Sequence, residues 1–221
     1  MKTIILSFIL ISSLGFAQIE KEVGDFKKVT SFDDIDVLLI QSNENKVVLN
    51  GKDAEKVELV NKNGELKIRM PLLKLMQGDN ISATVYFKEI NAAEANEGSR
   101  ISSESVIKAI NFDIIAKEGA EIKLELKVSR VALKVSSGAK VFLTGQATNQ
   151  EAIIGSGAVY EGEKLITSQS VITVNAGGEA EIYASKFVDA KVRAGGNITV
   201  YGNPKQVNQK TLAGGTIKIV K

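Results

Sequence analysis

A glycine followed by a second small residue recurs at a near-constant spacing through most of this chain. The steps between successive first glycines are 21, 19, 19, 20, 18 and 19 residues, and a period of this length is typical of stacked repeat architectures. We interpret the first glycine of each pair as a structural turn residue. These glycines are Gly98, Gly119, Gly138, Gly157, Gly177, Gly195 and Gly214.

Alignment of the repeats on that glycine produces columns in which apolar and polar residues alternate. The positions three and five residues after the glycine are mostly aliphatic, and the position between them is mostly polar. Alternation with a period of two predicts a strand with one face to solvent. Aliphatic residues such as Val135 and Ile154 also stand three positions before the glycine. Each repeat is therefore predicted to be strand, glycine corner, strand.

The chemistry of a corner explains this choice of residues, because glycine adopts positive φ angles without the steric cost that a Cβ imposes. The residue after each first glycine is Ser, Ala or Gly. Stacked strands lie about 4.8 Å apart, which leaves little room at a corner. Glycine pairs also close two-residue hairpins, but hairpins alone would not hold this period. The sequence predicts an all-β solenoid with about 19–20 residues per repeat, and a meandering sandwich or barrel is the alternative.

Residues 1–17 have the features of a secretory signal peptide. Lys2 is followed by an apolar run from Thr3 to Leu14 and by Gly15-Phe16-Ala17, which is a small-x-small cleavage pattern. The apolar run is too short to span a bilayer, and no later segment approaches the roughly 20 apolar residues that a span requires. We therefore expect an exported protein without a transmembrane segment, in the periplasm, at the cell surface or secreted.

Residues 18–221 are expected to form one domain. This part carries 27 basic and 26 acidic side chains, and such a balance gives no support for nucleic acid as a partner. Residues 18–95 are β-rich but irregular, whereas residues 96–221 carry the regular repeats. Within the irregular part, the stretch from Pro71 to Gly78 is apolar and too short for a helix. We favour a loop packed on the solenoid, and the alternative is a protrusion that binds a partner.

The chain contains neither histidine nor cysteine. Ser-His-Asp and Cys-His catalytic sites, the usual zinc sites, disulfides and a lipid-modified cysteine are therefore excluded. Gly155-Ser156-Gly157 lacks the third glycine of a dinucleotide-binding loop, and no phosphate-binding loop motif occurs. We predict no catalytic residue, no metal site and no cofactor.

Carboxylates are the remaining chemical candidates. Asp33, Asp34 and Asp36 crowd one strand entry. Paired acids can coordinate calcium or act on glycosidic bonds, but we interpret these three as a solvated strand edge. The outward column six residues after the glycine is a candidate ligand face, because aromatic rings and carboxylates suit the surfaces of sugars. Its candidate residues are Glu104, Glu125, Glu163, Tyr183 and Tyr201, with Thr144 between them.

The last strand pattern runs from Thr216 to Lys221. The final strand of a solenoid presents unpaired backbone groups that can template association. Lys218 and Lys221 are edge charges that discourage such pairing, yet end-to-end homo-oligomerisation through this strand is a hypothesis that we carry forward.

The Gly-small corners, the N-terminal signal and the stretch Ala194-Gly195-Gly196-Asn197-Ile198-Thr199-Val200-Tyr201-Gly202-Asn203-Pro204 together resemble the auto-transporter adhesin, head GIN domain family, which is common among Bacteroidetes. The resemblance covers most of the chain after the signal. It implies a right-handed single-stranded parallel β-helix, similar in architecture to pectin lyases. It also implies a role in adhesion, without an established catalytic set.

Three functions are compatible with the sequence. We favour a non-catalytic extracytoplasmic binding or adhesion module whose flat faces present repeated side chains to a cell-surface glycan or to a protein. The second is a polysaccharide-active enzyme of pectin-lyase type, which needs several carboxylates beside a base, whereas the candidate column supplies at most one acid in each repeat. The third is a structural protein of the envelope with no ligand.

Overall fold

The computed structural model describes residues 18–220, so the predicted signal at residues 1–17 and the terminal Lys221 lie outside the described residues. Strands make up 64% of the structure and helix 3%, so the fold is all-β as predicted. Two short 3-10 helices are present, Ala54–Lys56 and Leu72–Lys74. Within residues 18–220, no helix has the length and apolar character that crossing a membrane requires. The strands are β1 (Ile19–Glu22), β2 (Lys28–Ser31), β3 (Asp36–Gln41), β4 (Lys46–Gly51), β5 (Glu58–Lys62), β6 (Glu65–Arg69), β7 (Ile81–Phe87), β8 (Ala92–Ala95), β9 (Arg100–Ser103), β10 (Ile107–Ala116), β11 (Glu121–Val135), β12 (Lys140–Ile154), β13 (Val159–Asn175), β14 (Glu179–Tyr183), β15 (Phe187–Arg193), β16 (Asn197–Tyr201), β17 (Gln206–Leu212) and β18 (Thr216–Ile219).

Successive turns of the chain stack in parallel. β11 pairs with β10 on one side and with β12 on the other, which places Ile122 opposite Val141. β12 pairs in turn with β13, and the pattern continues to β17 and β18. A segment beside a glycine corner is thus paired with its equivalent one turn away, and not with the segment across the corner. The structure is a parallel β-solenoid of about seven turns, which confirms the predicted fold over a meandering sandwich or barrel.

Each regular corner contains two successive residues with positive φ. Between β11 and β12 these are Ser137 (φ 55°) and Gly138 (φ 74°), and the Ala139 amide closes the corner by donating to the Ser136 carbonyl at 3.2 Å. A pair of residues with positive φ also closes two-residue hairpins. Here, however, the Gly138 amide donates to the carbonyl of Ser156 on the next turn, at 3.1 Å. The backbone hydrogen-bond ladder therefore continues around the corner.

The small residue after the first glycine lies inside the stack at the first five corners, is partly buried at the sixth and is exposed at the last. Ala120 and Ala139 are fully buried at this position. At Gly196, a Cβ would lie 2.6 Å from the carbonyl oxygen of Gly178 on the preceding turn, so a larger residue would push the turns apart. The residue before the first glycine, which the sequence did not single out, also adopts positive φ although it is Glu, Ser or Ala. Such residues adopt this conformation less readily than glycine.

The predicted inward columns form the core of the solenoid. Ile122 and Ile198, which stand three residues after a glycine, are 0% and 1% exposed. A second bend lies midway along the long strands, where two successive outward residues separate the buried Val128 from the buried Val131. One continuous aliphatic interior therefore runs along the stack.

One turn fills its interior with an unusual pair of residues. The Tyr160 side chain is fully buried, and its ring takes the space that a side chain at position 162 would fill. A Cβ on Gly162 would lie 2.2 Å from the Tyr160 hydroxyl oxygen. A large residue and a residue without a side chain thus share the volume that two aliphatic residues fill in adjacent turns. Those aliphatic pairs are Val141 with Leu143 and Ala180 with Ile182.

The first turns do not stack in chain order. β2 and β3 lie between β6 and β7 on one side and β8 and β9 on the other, so that Lys28 is opposite both Glu65 and Ala92. Beyond β6 the sheet continues with the antiparallel strand β5, and beyond β7 it continues with the antiparallel strands β4 and β1. The N-terminal end of the solenoid is therefore flanked by antiparallel strands.

The corner between β6 and β7 is expanded into a loop. Met70 at its start is buried, but Leu72 and Leu73 are 81% and 95% exposed, and Leu75 and Met76 are 49% and 54% exposed. The packed-loop interpretation is therefore wrong for these four side chains. The reason is that the loop leaves the stack after Met70, and the next large apolar side chain to enter the interior is that of Ile81.

β17 and β18 form the last turn that the structure describes, and they pair with β15 and β16 of the preceding turn. The inward residues Ile217 and Ile219 are only partly buried. Gln209 and Thr211 follow Ala190 and Val192 in the register of the two strands, so this turn places polar side chains where earlier turns place aliphatic ones. End-to-end association through this turn stays a prediction.

Candidate functional site

An acidic and aromatic surface lies on three successive turns, on the outer side of the strands that follow the corners. The register places Glu161 of β13 opposite Glu181 of β14, and Glu181 opposite Thr199 of β16. It also places Tyr183 opposite Tyr201. We call this surface the acidic–aromatic face. Its residues are Val159, Glu161, Glu163, Glu179, Glu181, Tyr183, Asn197, Thr199 and Tyr201.

A shallow groove of about 390 Å³ lies on this face. Glu161, Glu179 and Glu181 line it, together with the amide of Asn197 and the hydroxyl of Thr199. Neighbouring strands of a sheet are about 4.8 Å apart, so the three carboxylates project from adjacent positions. Within residues 18–220, none of the three carboxylates forms an ion pair. The groove is therefore negatively charged, with neutral hydrogen-bonding groups at one side.

The two tyrosines stand at the ends of the strands that line the groove. Both side chains are partly buried. A Cβ on Gly202 would lie 2.8 Å from the ring carbon Cζ of Tyr183, so the ring of Tyr183 packs over a residue that has no side chain. The backbone carbonyl of Tyr183 accepts a hydrogen bond from the hydroxyl of Thr167. Neighbouring residues thus fix the position of the Tyr183 ring before any ligand is present.

A buried tyrosine lies beneath the face. Burial raises the pKa of Tyr160 far above its ordinary value, and the carboxylate of Glu163 raises it further. The phenol therefore stays neutral at physiological pH and adds no charge to the groove.

Of the other predicted face residues, only one lies on the same turns as the tyrosines or next to them. Glu125 is exposed on β11 opposite Thr144, and Glu104 is exposed just after the end of β9. A register shift between β12 and β13 then places Lys164, and not Glu163, opposite Thr144. The sequence alignment had placed Glu163 opposite Thr144, because both stand six residues after a glycine. The bulge shifts the actual pairing by one residue. Glu163 lies next to the aromatic part of the column, whereas Glu104 and Glu125 lie on earlier turns.

None of the residues that line the groove belongs to the predicted set, and five of them are polar. These five stand in the outward columns two and four residues after the glycine, and the sequence analysis identified only the second of these columns as mostly polar. The alternation of apolar and polar residues alone did not distinguish these three turns from the others. The five residues are Glu161, Glu179, Glu181, Asn197 and Thr199.

Two of the three aspartates at the entry to β3 have separate structural roles. Asp33 is 1% exposed, and its carboxylate accepts hydrogen bonds from the backbone amides of Met70 and Met76 at 2.8 and 3.0 Å. Asp36 accepts a hydrogen bond from Arg100 at 3.0 Å. The solvated-edge interpretation is therefore wrong for Asp33, which is buried because it organises the loop between β6 and β7. Across residues 18–220, no three acidic side chains are arranged to hold a metal ion.

Comparison with protein families gives one extended match. The sequence profile of the family described as "Putative auto-transporter adhesin, head GIN domain" matches residues 25–204. A search among curated proteins found no match.

Several crystal structures share the fold of this chain. A protein described as a "putative adhesin" from Bacteroides fragilis is 18% identical, with a TM-score of 0.87 over 94% of this chain and 98% of its own. A "putative adhesin" from Parabacteroides merdae is 16% identical, with a TM-score of 0.74 over 93% and 96%. A "Putative lipid binding protein" from Parabacteroides distasonis is 15% identical, with a TM-score of 0.69 over 93% and 96%. At these identities the likeness shows a common fold.

Proposed function

This chain belongs to the auto-transporter adhesin, head GIN domain family, and from that membership we propose a non-catalytic extracytoplasmic module that binds a cell-surface glycan through the acidic–aromatic face. Family membership supports a binding role in general terms. The structural neighbours described as adhesins or as a lipid binding protein agree with such a role, because both descriptions name a binding activity. The geometry of the face supports the choice of a glycan.

The observation that carries the proposal is the pair of tyrosines beside the groove. Tyr183 and Tyr201 occupy the same position on adjacent turns, and Gly202 allows the Tyr183 ring to lie close to the backbone. Aromatic rings pack against the apolar faces of sugar rings, while carboxylates and amides hydrogen-bond to sugar hydroxyls. A ligand pocket typically combines such an apolar surface with a few fixed polar groups.

The charge of the groove selects among glycans. Three carboxylates without ion-pair partners among the described residues would repel uronic acids and sulfated sugars. Neutral sugars and amino sugars carry no such penalty, so we propose that the ligand is one of these. The groove does gather the carboxylates that the pectin-lyase alternative needs, but the residues that line it include no Lys or Arg to act as the base.

The first experiment measures glycan binding by the purified chain on an array, followed by titration calorimetry with the best neutral or amino-sugar ligand. We expect Tyr183→Ala/Tyr201→Ala to weaken binding at least about tenfold, because a stacked aromatic pair contributes on the order of 1 kcal/mol or more. The matched control is Tyr183→Phe/Tyr201→Phe, which keeps both rings and should retain most of the affinity. Glu125→Ala, which lies outside the face, should bind like the wild type.

Four outcomes would reject the proposal. Unchanged binding by the double alanine variant would remove the tyrosines from the site. Selective binding to acidic polysaccharides would contradict the charge argument. Unsaturated products from such polysaccharides, tested with and without calcium, would establish the lyase function instead. Failure to bind any glycan, with retained binding to whole cells, would favour a protein partner.

A further inference from the structure

The loop between β6 and β7 exposes more contiguous apolar surface than any other described segment of similar length. Leu72 and Leu73 are 81% and 95% exposed, and Leu75 and Met76 add about half of their surface. Isolated exposed leucines are ordinary in proteins, but four large apolar side chains within five residues form a patch. We call residues 72–76 the apolar tip.

The base of the loop is held by one buried side chain. The Asp33 carboxylate accepts hydrogen bonds from the amides of Met70 and Met76, and the Asp33 carbonyl accepts one from the amide of Gly78 at 2.9 Å. A Cβ on Gly78 would lie 2.2 Å from that carbonyl oxygen, so the loop and the Asp33 corner are in close contact. Both ends of the loop are therefore fixed to the neighbouring turn.

The conformation of the tip keeps its leucines away from the solenoid. Met76 adopts a positive φ of 58°, which is unfavourable for a side chain of this size, and its amide is held by Asp33. Lys74 is drawn towards the body of the protein, where its ammonium group pairs with Asp53 at 2.7 Å. The one cation of the tip is thus turned back, and the apolar side chains are left at the surface.

We propose that the apolar tip inserts into a lipid surface. The tip is five residues long and contains four apolar side chains, whereas a stable protein interface needs about 20–30 residues from each partner. A lipid surface requires no complementary shape, and amphipathic protein segments bind it by burying apolar side chains at the boundary of headgroups and acyl chains. A tip that is fixed in its exposed conformation loses little conformational freedom when it inserts.

The surroundings of the tip define the kind of lipid surface. The flanking segments 52–58 and 69–79 carry four basic and four acidic side chains, so their charges balance. Attraction to anionic lipids requires an excess of basic residues. The tip therefore binds zwitterionic and anionic bilayers to a similar extent, and its binding is insensitive to salt.

The experiment is flotation of the purified chain with vesicles of phosphatidylcholine alone, and with vesicles of phosphatidylcholine and phosphatidylglycerol in equal parts. The wild type is expected to float with both. Leu72→Ser/Leu73→Ser is expected to reduce the partition coefficient roughly a hundredfold, because each leucine that leaves water contributes more than a factor of ten. The matched control is Ile110→Ser/Ile153→Ser, which removes two side chains that are 75% and 50% exposed elsewhere on the protein.

A fluorescence measurement tests insertion directly. The chain contains no tryptophan, so Leu73→Trp introduces a single reporter at the tip. Its emission should shift to shorter wavelength when vesicles are added. Absence of flotation, an unshifted emission, or equal loss of flotation in the control variant would each overturn the proposal. Concentration-dependent dimerisation that Leu72→Ser/Leu73→Ser abolishes would identify a second copy of the chain as the occupant, and would also overturn it.

Discussion

The pairing of Tyr160 with Gly162 makes a quantitative prediction about the core. The two residues share a volume that Val141 and Leu143 fill in the preceding turn, with the Tyr160 ring over the position of the missing side chain. Tyr160→Val alone should leave a cavity and destabilise the protein by about 2–5 kcal/mol. Gly162→Leu alone should force the new side chain into the ring and cost about 1–3 kcal/mol or more.

The double variant Tyr160→Val/Gly162→Leu should recover most of this loss. It gives the turn the same two side chains that the preceding turn already packs, so each change fills the space or removes the clash that the other creates. We expect a coupling free energy of at least about 2 kcal/mol between the two positions, near the upper part of the range for contacting residues.

A third variant tests the hydroxyl separately from the ring. The Tyr160 hydroxyl is buried and has no hydrogen-bond partner among the described residues. A buried hydroxyl without a partner costs about 1–3 kcal/mol in proteins. Tyr160→Phe keeps the ring and should therefore stabilise the protein by about 1 kcal/mol, which corresponds to about 2–4 °C in the midpoint of thermal unfolding.

The assay is urea unfolding of the four proteins of the cycle and of Tyr160→Phe, followed by far-ultraviolet circular dichroism. The free energies of unfolding give the coupling directly. A coupling below about 0.5 kcal/mol would mean that the two residues are energetically independent and that the shared-volume account is wrong. Destabilisation by Tyr160→Phe would show that the hydroxyl has a partner in solution.

Three further predictions follow from the same structure. Ile122→Asp should unfold the solenoid, because it loses about 1.5–3 kcal/mol of hydrophobic burial and leaves a buried charge that costs several kcal/mol more. Glu125→Ala should leave the midpoint of thermal unfolding unchanged. Equal midpoints for the two variants would contradict the assignment of Ile122 to the interior and Glu125 to the surface. Burial and nearby carboxylates raise the pKa of Glu97, so the folded state binds this proton more tightly than the unfolded state does. The free energy of unfolding of the wild type should therefore fall relative to that of Glu97→Gln as the pH rises above about 4.3. Parallel curves of stability against pH for the two proteins would refute this. End-to-end association through β18 should give a dimer in light scattering, and a monomer at high protein concentration would end that hypothesis.

The regular turns could be predicted from the sequence because each inward residue recurs at a fixed distance from a glycine. A register error of one residue would expose residues such as Ile122, so the hydrophobic pattern defines the pairing. The N-terminal part has no such regular repeat, so its strand pairing could not be predicted. Parallel pairing of β2 with both β6 and β8 depends on which strands meet in space, and alternation of apolar residues is the same whichever neighbour a strand has.

The candidate site could be predicted from the sequence only in part, for a related reason. The sequence identified Tyr183 and Tyr201 because their columns align, and the structure does place them opposite each other. It could not show the bulge that offsets Glu163, because a bulge changes the register without changing the alternation on either side. The exposure of Leu72 and Leu73 could not be predicted either, since it depends on hydrogen bonds that two backbone amides distant in sequence donate to the Asp33 carboxylate.

The insertion of β2 and β3 between later strands has a consequence for how the chain acquires its structure. The ribosome releases the N-terminal end of the chain first, but Lys28 of β2 can pair on both sides only after Glu65 and Ala92 have also emerged. β2 therefore has no partner on one side until Glu65, 37 residues later, is available, and none on the other side until Ala92, 64 residues later, is available. Contacts of such long sequence separation form slowly. The strands of the regular turns have partners only about twenty residues away in sequence, so they can pair without this delay.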